Sequence, residues 1–198
     1  MAIMRSTIKS GGGDWLGIKT GKLTKITDDA AKYSWADVYL LCEFTVEGSD
    51  YPRVLKIGGS WEKNPDGTIQ DCALLRRITY LFDALGEQGG VNQHGDWVDA
   101  NEHKIDNIVN HLETNYKDAS CTVYVYRELA KDGKAYTRIH NKVLKAENGS
   151  EKELESYINF MKTKGYIKEA PADHDNKSVG SNVGASNVDA SGIDIANL

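Results

Sequence analysis

The clearest pattern in the first third of the chain is the alternation of apolar and polar residues that is typical of amphipathic β-strands. It is strongest in the stretch VYLLCEFTVEG, where every second residue from Val38 to Val46 is apolar. The flanking stretches IKTGKLTKITDD and SDYPRVLKIGGSW have strand-like compositions, and a turn precedes the latter. We therefore predict three strands, of which the last two form a hairpin, with a bulge or a close backbone approach at Gly58-Gly59.

The apolar spacing changes to the period of a helix in DCALLRRITYLFDALG. We predict that Asp71 is the N-cap of this helix and that the helix ends at Gly86. A shorter helix is predicted in EHKIDNIVNHLETNY, and a third in SEKELESYINFMKTKGY, where Ser150 and Glu153 have the spacing of a capping box. The third helix carries a narrow apolar stripe, which consists of Leu154, Tyr157, Ile158 and Met161.

Residues 121–147, CTVYVYRELAKDGKAYTRIHNKVLKAE, predict a hairpin around Asp132-Gly133. A two-residue turn would pair residues whose numbers sum to 265, which would mix polar and apolar side chains on both faces. A three-residue loop over 131–133, with Gly133 in the left-handed conformation, changes the sum to 264 and separates the faces. We predict this second register, in which the core face consists of Cys121, Val123, Val125, Thr137, Ile139 and Val143.

The opposite face of the hairpin is predicted to be exposed and to collect aromatic and basic residues: Tyr124, Tyr126, Tyr136, Arg138, His140 and Lys142. Aromatic rings stack on unpaired bases, at roughly 1–3 kcal/mol per base, and cationic side chains neutralise phosphates. Cross-strand Tyr and Arg pairs can instead simply stabilise an exposed sheet, and both interpretations fit the pattern. Lys56 on the third strand and Trp61 before the NPDG turn extend the candidate nucleic-acid-binding surface.

Composition and charge restrict the kind of partner. The 198 residues are 40% hydrophobic and 27% charged, as in a soluble globular protein, and the net charge is −5. Residues 169–198 contain five acidic residues and one lysine, so the rest of the chain is close to neutral. This balance argues against an indiscriminate duplex binder but allows a local basic groove. We predict a flexible arm over residues 1–14, one domain over 15–168 and a disordered acidic tail over 169–198.

Other kinds of site find little support in the residue pattern. Cys42, Cys72 and Cys121 have neither zinc-site nor disulfide spacing and are predicted to be reduced core residues. The histidines lack metal-site spacing, and no phosphate-binding loop or nucleophile motif occurs, so we predict no metal, no cofactor and no enzymatic activity. No apolar run is long enough to span a membrane and no signal-peptide pattern is present, which predicts a cytoplasmic protein.

The order of the predicted elements, three strands, a helix and two closing strands, is that of the five-stranded OB barrel. The run from GKLTKITDD through YLLCEFTVEG, RVLKIGGSW and LLRRITYLFDALG to YTRIHNKVL resembles phage-encoded OB-fold single-stranded DNA-binding proteins of replication and recombination modules. The resemblance implies a mainly β fold, a five-stranded OB-like barrel with a helix between strands 3 and 4, extra helices and a disordered C-terminal tail. In that class the charged tail recruits replication proteins; here it ends in GIDIANL, without the aromatic residue common at such tips.

We therefore expect a non-enzymatic protein that coats single-stranded DNA during DNA replication or recombination, with little sequence preference, in the host-cell cytoplasm. Its expected partners are single-stranded DNA and, through the tail, replication or recombination proteins, with no membrane; a homo-oligomer is compatible with these features. An alternative is a viral structural or assembly protein that uses the barrel surface for protein contacts, because Tyr and Arg are also favoured at protein interfaces. An enzyme of unrecognised type is the third alternative.

Overall fold

The computed structural model describes residues 15–170, so the predicted N-terminal arm and the tail beyond Ala170 lie outside the described residues. The strands are β1 (Gly17–Asp28), β2 (Val38–Val46), β3 (Arg53–Gly59), β4 (Gly90–Val91), β5 (Trp97–Val98), β6 (Ser120–Leu129), β7 (Ala135–Ile139) and β8 (Leu144–Lys145). The helices are α1 (Ala73–Leu85), α2 (Ile108–Tyr116) and α3 (Ser150–Thr163), and a single 3₁₀ turn covers Ala30–Lys32.

Six strands form one antiparallel sheet in the order β3-β2-β1-β6-β7, with β8 also paired to β6. The fold is therefore mixed α/β and mainly antiparallel β, with α1 after the third strand as predicted. A register shift between Leu23 and Lys25 in β1 marks a bulge, which bends the sheet. The edge strands β3 and β7 approach each other, with Cα atoms within 8 Å, and we call the space between them the seam.

No hydrogen-bonded ladder crosses the seam within residues 15–170, so the predicted barrel is not closed there. Part of the reason is visible at the end of β3, on the edge that faces away from β2. The Gly58 oxygen on this edge accepts a hydrogen bond from Arg77 Nη1 at 3.1 Å. The Arg77 side chain therefore occupies a carbonyl that a β-ladder across the seam would use.

The main core lies between the inner face of this sheet and helices α1 and α2. The alternation in β2 predicted its inner face correctly, since all five alternate residues from Val38 to Val46 are buried. The three cysteines are also confirmed as buried core residues without disulfide bonds. Burial raises the pKa of the Cys42 and Cys121 thiols to about 12, so both remain protonated at neutral pH.

The predicted register of the C-terminal hairpin is confirmed. Val125 pairs with Ile139 and Tyr126 with Arg138, so the residue numbers sum to 264 in both pairs. Gly133 has φ of +77°, and its N–H donates to the Ala130 oxygen at 3.0 Å, as the three-residue loop requires. The inner face of the hairpin is buried at the five predicted apolar positions: Cys121, Val123, Val125, Ile139 and Val143.

Two predicted helix caps are wrong. Helix α1 has Cys72 as its N-cap residue, while the predicted cap Asp71 pairs with Arg76 at 3.4 Å. Helix α3 begins after Gly149, and Ser150 does not form a capping box because its hydroxyl donates to the Lys145 oxygen at 2.7 Å. A nearly buried hydroxyl is better satisfied by this neighbouring carbonyl than by the exposed helix terminus. The predicted end of α1 at Gly86 is confirmed, with φ of +80°.

Helix α2 is shorter than predicted. It begins at Ile108, where the Asn107 side chain caps it by accepting a hydrogen bond from the Asn110 N–H at 2.9 Å. At Gly58-Gly59 the β2–β3 ladder continues without a bulge, and the close approach is made by the Tyr39 ring.

Candidate nucleic-acid interface

Helix α3 covers part of the hairpin face that was predicted to be exposed. Tyr124 is only 6% exposed and belongs to a second core cluster with Leu154, Ile158 and Ile167. The expected exposure is therefore wrong for Tyr124. The physical reason is that the apolar stripe of α3 must be buried against some surface, and the tyrosine rings of β6 provide that surface.

Tyr126 shares this covered region. Its ring stacks on that of Tyr124 with centroids 5.5 Å apart, and burial raises the pKa of both phenols. The Tyr124 hydroxyl donates to Glu169 Oε1, and Lys162 Nζ lies 5.0 Å from the Tyr124 ring centroid. The segment after α3 also pairs with β6, since the Ala170 N–H donates to the Arg127 oxygen at 2.8 Å. These contacts hold both rings against the domain. Two of them come from Glu169 and Ala170, which were predicted to begin the tail but pack on β6.

His140 and Lys142 also contribute to packing. The His140 ring lies 5.6 Å from that of Tyr157 on α3, and its Nδ1 accepts a hydrogen bond from the Lys142 N–H at 3.0 Å. Burial lowers the pKa of His140 to about 4, so this side chain is neutral at pH 7 and does not supply the expected cation. Lys142 Nζ lies 4.5 Å from the Tyr157 ring centroid and 3.3 Å from Glu153 Oε1.

The open part of the hairpin face consists of Tyr136 and Arg138 on β7. Tyr136 is 39% exposed, and its hydroxyl donates to Asp132 Oδ2 at 3.0 Å. The Arg138 guanidinium lies 5.4 Å from the Tyr136 ring centroid, while its Nε donates to Glu128 Oε2 at 3.0 Å. This pair forms one side of the seam.

Lys56 lies on the other side of the seam, on the outer face of β3. Partial desolvation lowers the pKa of its ammonium group, and the positive charge of Arg138 lowers it further. Lys56 takes part in none of the ion pairs found among residues 15–170. The fold therefore places two cations on strands that lie at opposite ends of the sheet order and approach each other across the seam, and the repulsion between these charges favours an anion beside them.

An aromatic cluster that the sequence analysis missed lies in the β1–β2 connection and the start of β2. It consists of Tyr33, Trp35 and Tyr39. Ring centroids are 4.5 Å apart between Tyr33 and Tyr39 and 5.6 Å apart between Tyr33 and Trp35, which is 44% exposed. The available signal was the presence of three aromatic residues within the short stretch YSWADVY.

The aromatic cluster is next to the cationic seam. Burial and the neighbouring Tyr33 raise the pKa of Tyr39, and the positive charge of Arg138 opposes that rise. The loop that carries the cluster is tied to the end of β3, because the Ser60 hydroxyl donates to the Trp35 oxygen and the Trp61 N–H donates to Asp37 Oδ2 at 2.7 Å. Rings and cations thus meet on one surface.

Trp61 occupies a different environment from the one predicted. Its side chain is partly buried and packs on the main core, next to Gly95 in the β4–β5 turn. Its backbone helps to anchor the aromatic cluster, whereas its ring supports the core.

The described part of the chain contains no group of three His, Cys, Asp or Glu side chains arranged to hold a metal ion. The shortest acid–histidine contact within residues 15–170 joins Glu87 Oε2 and His111 Nε2, which are 2.6 Å apart, and Glu87 Oε1 accepts from the Gly89 N–H at 2.6 Å. Between residues 15 and 170, no helix has the length and apolar character needed to cross a bilayer.

No known family model matches the sequence, and no curated protein matches it significantly.

Proposed function

We propose that this protein is a non-enzymatic, phage-encoded single-stranded DNA-binding protein that coats DNA during replication or recombination in the host cytoplasm. The observation that carries the proposal is the approach of β3 and β7, which places Lys56 and Arg138 on the two sides of the seam, beside the aromatic cluster. A cation pair beside accessible rings matches the two chemical features of single-stranded DNA, namely charged phosphates and unpaired base faces.

The phosphate part of the mechanism follows from like-charge repulsion. A phosphate beside Lys56 and Arg138 adds two attractive interactions that outweigh the repulsion between the cations, and counterions are released from the DNA. Arg138 is already oriented by Glu128 and can keep that contact while its remaining N–H groups face a phosphate. Binding is therefore expected to weaken steeply as salt increases.

The stacking part of the mechanism rests on Trp35 of the aromatic cluster and on Tyr136, which are the exposed rings on the two sides of the surface. Bases in a duplex are already stacked on each other, so these rings favour the single strand. Neither ring offers a pattern of hydrogen-bond donors that would distinguish one base from another, which fits low sequence preference.

The proposed architecture is an OB-like barrel that is left open along the seam. In that fold, the loop between the first two strands and the loop between the last two flank the ligand surface. The corresponding segments here are residues 29–37, which carry most of the aromatic cluster, and the hairpin loop 130–134 beside Tyr136.

Fluorescence anisotropy with labelled oligo-dT and a matched duplex tests this proposal, at about 50 and 200 mM salt, where phosphate contacts have large effects. We expect salt-sensitive binding to the single strand and much weaker binding to the duplex. The Lys56→Gln/Arg138→Gln variant should bind more weakly, and its slope of log affinity against log salt should be reduced by about 2. The control Lys117→Gln/Lys152→Gln removes the same charge from exposed positions just after α2 and on α3. Equal loss in both variants, or no binding by the wild type, contradicts the proposal.

A second candidate function is protein binding in a viral assembly. It is favoured by two large exposed side chains near the end of α3, Phe160 at 54% and Tyr166 at 48% exposure. Failure of the wild type to bind DNA at low salt, together with co-purification with other protein subunits, would favour this alternative.

A further inference from the structure

We infer that Gly58 is a positioning residue for the proposed DNA site, because its missing side chain lets the Tyr39 ring lie across β3. This inference rests on the proposed function. Gly58 and Tyr39 are directly paired in the β2–β3 ladder. A Cβ atom at position 58 would lie 2.5 Å from Cδ2 and 2.9 Å from Cε2 of the Tyr39 ring, so an alanine and this ring position are incompatible.

The steric conflict is with the Tyr39 ring and not with the backbone conformation of Gly58. Gly58 is not among the described residues with positive φ, so its backbone conformation is open to alanine. The Gly58 carbonyl is held by Arg77 Nη1 at 3.1 Å, and the ladder with β2 continues on both sides of it. Because the strand is held on both edges, the Tyr39 ring is the group that must move.

Displacement of Tyr39 would disturb the whole aromatic cluster. The Tyr33 ring lies 4.5 Å from Tyr39, and the Trp35 ring packs edge-on against Tyr39 at 5.9 Å. The three rings contact one another, so a shift of Tyr39 removes two of the three ring contacts. Lys56 lies two residues before Gly58 and on the same face of β3. The three atoms nearest to a Cβ at position 58 nevertheless all belong to the Tyr39 ring, and none belongs to Lys56.

Base stacking and phosphate binding can therefore be tested separately. A Gly58→Ala substitution should weaken stacking and leave the phosphate contacts in place. We therefore expect single-stranded DNA affinity to fall about tenfold, with an unchanged slope of log affinity against log salt. Lys56→Gln should instead reduce the slope. A merely structural role of Gly58 would lower stability without this selective loss.

The matched control is Gly90→Ala, since position 90 on β4 has ordinary φ and no atom within 4 Å of the added Cβ. The Tyr39→Ala/Gly58→Ala variant contains no ring to clash with the new methyl group and therefore keeps the fold. It should bind as Tyr39→Ala alone does, because Gly58 acts through that ring. Additive losses in the double variant would overturn the inference.

A measurement without DNA keeps this inference separate from the proposed function. In protein with ¹³C-labelled tyrosine rings, the Tyr39 signals are assigned from their loss in Tyr39→Phe. They should shift in Gly58→Ala and stay unchanged in Gly90→Ala. If Tyr39→Ala weakens DNA binding while Gly58→Ala changes neither affinity nor ring signals, the inference is overturned and the proposed function stands. If the wild type does not bind single-stranded DNA, the proposed function fails, and the role of Gly58 in binding fails with it.

Discussion

At the scale of single residues, side chains that share one face of the hairpin have different roles. Tyr124 and Tyr136 have the same parity in the β6–β7 ladder, yet Tyr124 is 6% and Tyr136 39% exposed. The difference comes from α3, which covers the β6 end of the face and leaves β7 open. Aromatic residues on a common strand face can thus be core on one strand and surface on the next.

This division predicts opposite effects of two tyrosine substitutions. Tyr124→Ala should destabilise the protein by about 3 kcal/mol, because it removes a buried ring from the second core cluster. Tyr136→Ala should change stability by no more than about 0.5 kcal/mol, while weakening single-stranded DNA binding. Urea unfolding and anisotropy titration measure the two effects. Similar stability losses in the two variants would show that α3 does not distinguish these rings.

His140 should make stability depend on pH. Its folded pKa of about 4 is below the ordinary value of 6.5, so the unfolded chain takes up the proton first as pH falls. The stabilisation from a neutral His140 is therefore complete above about pH 6.5 and is lost between that value and about pH 4, by on the order of 3 kcal/mol. Unfolding midpoints across this range measure it.

The suitable comparison is His140→Asn, which keeps an acceptor for the Lys142 N–H but does not titrate. This variant should lose less stability on acidification than the wild type. The control His94→Asn replaces an exposed histidine and should follow the wild-type profile. Parallel profiles for wild type and His140→Asn would exclude the proposed linkage.

At the scale of elements, strand periodicity was sufficient to predict the register of the C-terminal hairpin. A shift by one residue would have placed buried and exposed side chains on the wrong faces, so the pattern at Val125 and Ile139 selected one pairing. The apolar stripe of α3 was predicted in the same way, but its partner was not. A stripe shows that a helix packs against something, whereas the surface it packs against depends on how the chain returns in space.

The loop of this hairpin can be tested by one substitution. Gly133→Ala should destabilise the protein by about 1–2 kcal/mol, because φ of +77° is unfavourable for a residue with a Cβ atom. The neighbouring exposed residue Lys134 provides the control, since Lys134→Ala keeps the backbone hydrogen bonds of the loop. Chemical denaturation compares the two, and equal stabilities would contradict the three-residue loop.

At the scale of the whole molecule, the seam joins residues that are distant along the chain. Lys56 and Arg138 lie on the first and last strands of the sheet order, and the bent sheet brings them together. Like charges that face each other across the seam reduce stability, and a bound anion offsets that cost. We therefore expect this pair of cations to lower the stability of the free protein and to strengthen its binding to DNA.

Lys56→Gln tests this relation between stability and DNA binding. It should leave stability unchanged or raise it by a few tenths of a kcal/mol, the scale of exposed charge interactions, because it removes one cation from the pair. The same variant should bind single-stranded DNA more weakly. Lys117→Gln, at an exposed site after α2, should change neither property. Thermal unfolding and anisotropy measure both, and a clear loss of stability in Lys56→Gln would contradict the repulsive pair.

Features that depend on neighbours along the chain could be predicted from the residue pattern. The strands β1 to β3, helix α1, the hairpin register and the buried cysteines follow from period, turn chemistry and apolar spacing, which are local constraints. Which aromatic rings are accessible depends instead on how the elements pack. Packing of α3 removed Tyr124 from the surface, and sheet curvature brought Lys56, Arg138 and Tyr39 together, because both depend on contacts between residues far apart in sequence.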